Sequence, residues 1–105
     1  MRIQINTDGS IQDRERLAAH FQGVLESALA RFQDRLTHVE VHLSSETGDR
    51  TGRADKRCMI EARLHGCQPT AVTHQAAALD QAVDGAVDKL KRSLESVLGR
   101  EQRNR

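Results

Sequence analysis

Tryptophan and tyrosine are missing from this chain, and phenylalanine occurs only at Phe21 and Phe32. A sequence this poor in aromatics lacks the platform on which proteins stack single-stranded bases. Cysteine is scarce too: Cys58 and Cys67 are too few for a disulfide scaffold and fit a reducing compartment. No apolar run approaches the roughly 20 residues of a membrane span, and no charged-then-apolar leader opens the chain, so a cytoplasmic location is expected. A surplus of one charge sign is also lacking. Sixteen Lys and Arg meet 15 Asp and Glu, a formal net charge of +1, which excludes a strongly basic nucleic-acid binder. With 37% apolar and 30% charged residues over 105 positions, the composition describes one small, well-solvated domain with a modest core.

What the chain does have is periodicity. From Ala76 to Leu98, Leu79, Val83, Ala86/Val87, Leu90, Leu94 and Val97 recur at three- and four-residue steps, one apolar stripe on a helix. Asp80, Asp84 and Asp88 precede Lys89, Lys91 and Arg92, the order that complements the helix macrodipole. Gly99 is read as the residue that ends this helix. A second amphipathic helix is expected over Ile11–Leu36, with Leu17, Phe21, Val24/Leu25, Ala28/Leu29, Phe32 and Leu36 inward. Ser10 and Asp13 are its start signal.

Strands show the other period. Ile3 and Ile5 alternate with Arg2, Gln4 and Asn6, and Val39, Val41 and Leu43 alternate with His38, Glu40 and His42. Cys58, Ile60, Ala62 and Leu64 point one way while Arg57, Met59, Glu61 and Arg63 point the other. Ser45–Asp55 reads as a hairpin connection and His65–Pro69 as a tight turn. Thr70–Thr73 is a short fourth strand, with the last helix starting near His74. The order is β-α-β-β-β-α, an α+β domain with two helices on one face of a four-stranded sheet. A single domain is expected over residues 1–99, followed by a short polar tail at 100–105. The other sheet face, with Arg2, Gln4, His38, Glu40, His42, Arg57, Glu61 and Arg63, is polar and expected to be wet.

Chemistry is hard to find in this pattern. His65, Cys67 and His74 match no zinc spacing, and His38 and His42 stand some 13 Å apart along a strand, too far for one ion. Glu40 and Glu61 face each other across strands, but His42, Arg57 and Arg63 are ordinary cross-strand partners for them. No nucleophile motif or phosphate loop is present. The expectation is therefore no enzyme, no cofactor and no metal. Basic residues are more suggestive. Arg16, Arg31 and Arg35 on one helix and Lys89, Lys91, Arg92 and Arg100 on the other are either solvated faces with partners such as Asp88–Arg92 and Lys91–Glu95, or the lining of a groove that grips phosphates.

The element order, the opening MRIQINTDGS and the phrase Val83-Asp84-Gly85-Ala86-Val87-Asp88-Lys89-Leu90-Lys91-Arg92 resemble the ribosome hibernation-promoting factors and ribosome-associated inhibitor A proteins. Their last helix carries an I-D-x-x-x-D-K-L-x-x-Q-L type pattern. The resemblance covers nearly the whole chain and implies a non-enzymatic factor on the small ribosomal subunit, lying in the messenger and transfer RNA channel and silencing idle ribosomes. It also implies that Lys89, Lys91 and Arg92, joined by Arg31 and Arg35, contact phosphates of 16S rRNA, recognising structured RNA by shape. The chain departs from the family at Glu26–Ala30 and at Ser93–Ser96, where relatives carry lysines. Ending at Arg105, it resembles a short form without the additional C-terminal domain. Two rivals remain at this stage: a double-stranded-RNA-binding-like module, and a protein-interaction domain of the same fold that has lost RNA affinity.

Overall fold

Strand alternation and helical stripes are realised in a computed structural model that describes residues 1–9, 11–47 and 54–103. The elements are β1 (Arg2–Thr7), α1 (Arg14–Ala28), a 3-10 turn (Ala30–Phe32), β2 (Leu36–Thr47), β3 (Ala54–Leu64), β4 (Thr70–Ala76) and α2 (Leu79–Arg103). The sheet order is β1-β2-β3-β4. β1 runs parallel to β2, reaching it through the α1 crossover, and the other pairs are antiparallel. α1 lies over β1, and α2 lies over β3 and β4.

Both helices cover the same sheet face. Phe21, Leu25 and Leu29 meet Val39, Val41 and Leu43 of β2, Cys58, Ile60, Ala62 and Leu64 of β3, and Val83, Ala86, Val87, Leu90 and Leu94 of α2 in one buried cluster. Among the described residues, no polar or charged residue is buried. Apolar burial therefore supplies the driving force, and each charge is settled at the surface.

Boundaries differ from the periodicity in instructive ways. The first helix is shorter than Ile11–Leu36. Asp13 precedes it in a left-handed conformation (φ 55°), which Asp tolerates better than most residues, and Ile11 is buried ahead of it. Ser10 lies outside the described residues. After Ala28 the chain tightens into the 3-10 turn, with Phe32 N–H donating to Leu29 O at 2.9 Å, and Leu36 opens β2 instead of closing a helix. β4 continues through Ala76 because β3 offers partners as far as Lys56. β2 and β3 likewise extend into the expected connection, of which residues 48–53 lie outside the described set. α2 begins at Leu79 and runs through Gly99 to Arg103, so Gly99 does not end it.

Gly85 has a different role. The ring of His74, on β4, packs onto it so closely that a Cβ at residue 85 would lie 2.1 Å from the His74 Cδ2. His74 Nδ1 is buried in this contact without a hydrogen-bond partner. A Cβ at Gly99 would meet nothing within 4 Å. The two glycines of α2 should thus respond oppositely to alanine. Gly99→Ala should stabilise by about 0.5–1 kcal/mol through helix propensity, whereas Gly85→Ala should destabilise by about 1–3 kcal/mol through overpacking. Urea unfolding midpoints check this, and Gly85→Ala should become nearly neutral in a His74→Ala background.

Candidate nucleic-acid interface

The five basic residues singled out from the sequence do not share one environment. Lys89, Lys91 and Arg92 fan around α2, because at about 100° per residue they lie on different sides of the buried stripe. Lys89 flanks β4, and its Nζ donates to the Thr73 carbonyl oxygen at 2.8 Å. That bond satisfies a carbonyl of the edge strand and leaves two ammonium hydrogens free. Arg92 is exposed and Lys91 half-buried. Among the described residues, neither side chain has a hydrogen-bond or ion-pair partner.

Arg31 and Arg35 are already occupied. Arg31, its guanidinium 4.7 Å from the centre of the Phe32 ring, forms an ion pair with Glu95 of α2. Arg35 makes a bidentate pair with Glu101, Nη1 to Oε2 and Nη2 to Oε1 each at 3.0 Å, and Nη2 also donates to His65 O at 3.3 Å. The Glu101 hydrogen bond, aided by the carboxylate charge, raises the Arg35 pKa above its ordinary value. Arg35 therefore ties the end of α2 to the β3–β4 turn, where the His65 N–H returns a 2.7 Å bond to Arg35 O.

The helical pairs Asp88–Arg92 and Lys91–Glu95 are not formed. Glu95 pairs across to Arg31 instead. Lys91 lies one turn before Glu95 on the same side of α2 without pairing to it. Arg31, held by Glu95, and Lys91 and Arg92, within one turn of Glu95 on α2, are the candidate basic locus. Asp80, Asp84 and Asp88 stay exposed on the first half of α2.

On the opposite sheet face, β2 and β3 gather a group that sequence reasoning set aside. Glu40 and Glu61 are direct cross-strand partners, and His42 Nε2 lies 3.4 Å from Glu40 Oε2. The pair that comes together is Glu40 and His42, two residues apart, and not His38 and His42. The facing of Glu40 and Glu61, expected from the strand alternation, is realised in the hairpin register. Nearby, Thr37, His38, Glu61, Ala62, Arg63 and Pro69 line a shallow depression of about 280 Å³.

A family profile described as sigma 54 modulation protein / S30EA ribosomal protein matches residues 5–102. The chain belongs to that family. It is a ribosome-associated family and not an enzyme family. Among solved structures, a ribosomal subunit interface protein from Coxiella burnetii superposes with a TM-score of 0.70 at 16% identity, covering 94% of this chain and 99% of that one. The Thermus thermophilus Protein Y N-terminal domain superposes with a TM-score of 0.63 at 19% identity, over 92% of this chain and 99% of that one. At these identities the two structures establish a shared fold. No curated protein matches the sequence significantly. Among the described residues of this S30EA family member, no helix is long and apolar enough to cross a membrane.

The two thiols of this family member differ sharply. Cys58 is buried on β3, and burial pushes its thiol up to about 12 from 9.0. Cys67 is half-buried, its Sγ 3.7 Å from Glu101 Oε1. At pH 8 an alkylating reagent should modify Cys67 alone in the folded protein and both thiols after unfolding, as counted by intact mass. Because folding raises the Cys58 pKa, its contribution to stability is whole below about pH 9 and declines as pH rises towards 12. Rapid modification of both thiols in folded protein would contradict this burial.

Proposed function

We propose that this protein binds the small ribosomal subunit in the channel for messenger and transfer RNA and blocks translation by occupying it. Membership of the S30EA family carries this reading, supported by the unpaired Lys91 and Arg92 beside the helix pair. Lys91 and Arg92 are the leading contacts to 16S rRNA phosphates. Lys89 adds a contact through its spare hydrogens. Arg31 and Arg35 contribute by exchanging Glu95 and Glu101 for phosphate, a like-for-like replacement of one anion by another. Recognition rests on phosphate geometry, which suits a chain without stacking aromatics. Such a factor acts in the cytosol, on idle or stressed ribosomes.

The rival, a protein-interaction domain that has lost RNA affinity, draws on the same two carboxylates, since Glu95 and Glu101 neutralise both arginines. Co-sedimentation with isolated small subunits over a salt series separates the readings. The expected result is binding that weakens steeply with salt and is displaced by messenger and transfer RNA; folded protein that fails to bind at low salt favours the rival.

Two variants sharpen the test. Lys91→Gln with Arg92→Gln should lower the magnitude of the log–log salt slope by about 1.4–1.8, one increment of about 0.7–0.9 per lost phosphate contact. Glu95→Gln should raise low-salt affinity by about three- to tenfold, because it frees Arg31 and removes an anion from the basic locus. An unchanged slope in the first variant would remove those residues from the contact surface.

A further inference from the structure

The open face of the sheet carries a constellation that RNA binding does not use. Glu40 and His42 are two residues apart on β2, so their side chains leave the same face, and Glu61 stands directly across from Glu40 on β3. One ligand atom from each of the three lies within 4.8 Å of the others. The separation of His42 Nε2 from Glu40 Oε2, 3.4 Å, is also the edge of a tetrahedron whose metal–ligand bonds are about 2.1 Å.

The electrostatics point the same way. Two carboxylates directly opposed on adjacent strands repel each other. Among the described residues, neither Glu40 nor Glu61 forms an ion pair with a lysine or arginine. The lateral neighbours do not compensate either. Gln4 and Asn6 flank Glu40 and His42 on β1, but the Gln4 amide donates to Asn6 Oδ1 at 3.1 Å. Met59 lies opposite His42, and Ala71 lies beside Glu61. A divalent cation would replace this repulsion with attraction at both carboxylates.

We propose that Glu40, His42 and Glu61 form a three-ligand site for a divalent first-row metal ion of the zinc type. One imidazole nitrogen and two carboxylate oxygens suit such an ion, and the fourth position points away from the sheet, open to water or to a donor from a partner. The site couples β2 to β3 on the face opposite the helices, independently of the ribosome reading.

Titration of the full chain with Zn²⁺ alone, followed by calorimetry in a non-chelating buffer at neutral pH, tests the site. The expected result is one ion per chain, with affinity reduced at least tenfold by His42→Gln and by Glu61→Gln. His38→Gln, His65→Gln and Cys67→Ser should stay within about twofold of the parent. Binding that survives Glu61→Gln, that is lost with Cys67→Ser or His65→Gln, or that does not occur in folded protein would overturn the proposal. Should a variant fail to fold, imidazole nitrogen spectra of the unaltered protein decide the matter. Zn²⁺ must shift the His42 Nε2 resonance before those of the other four histidines, and any other histidine responding first overturns the assignment.

Discussion

The seating of α2 on the β3–β4 half of the sheet is the contact on which the remaining geometry depends. Val83, Ala86, Val87, Leu90 and Leu94 are buried there against Cys58, Ile60 and Leu64, and the helix reaches the sheet closely only because residue 85 is glycine beneath the His74 ring. Once that stripe is buried, the azimuth of every other α2 side chain follows. Lys89 is set beside the edge strand, Lys91 is half-buried, and Arg92 is exposed. The same contact brings Glu95 and Glu101 within reach of Arg31 and Arg35.

Charge distribution, rather than charge total, governs what such a surface can bind. The chain is nearly neutral, and its structure shows how the neutrality is arranged. Two arginines near the end of the first helical region meet two carboxylates from the second half of α2, while the acidic residues of its first half stay exposed. Exposed ion pairs of this kind are weak and exchangeable, so they restrain the arginines without removing them from use. Arg35 is the more constrained of the two, because its backbone and side chain both bond the His65 turn. A ribosome-binding reading therefore has graded contacts, from free Lys91 and Arg92 through Lys89 to the paired arginines.

The two faces of the molecule are separated by the core. Helices cover one side of the sheet, and the other carries a polar mosaic with no covering layer among the described residues. Antiparallel sheets tolerate this arrangement because one solvated face satisfies its own polar side chains. It also means that chemistry on the open face, including the Glu40–His42–Glu61 group, can vary without disturbing the helix pair. The metal site proposed for this face lies opposite the helices and apart from the basic residues of α2.

Local periodicity was enough to read the element order, both apolar stripes, the inward set Val39, Val41, Leu43, Cys58, Ile60, Ala62 and Leu64, and the polar outer face. Side-chain direction repeats every 3.6 or two residues along a chain, so burial is written in the sequence wherever one face is apolar. Element ends were less legible: the strand at Thr70 outran its expected limit because β3 still had partners to offer, and Gly99 was absorbed into a helix that nothing obliged to stop. What tertiary structure alone decided were the partnerships. Glu95 could have paired with Lys91 four residues away, yet it pairs with Arg31, because the placement of α2 on the sheet brings the arginine within ion-pair reach. Gly85 is a contact point for His74, a role its own stretch does not announce. The facing of Glu40 and Glu61 was legible from strand alternation, whereas the 3.4 Å approach of His42 Nε2 to Glu40 Oε2 was not. Such partnerships depend on distances between elements, and no property of a single stretch encodes them.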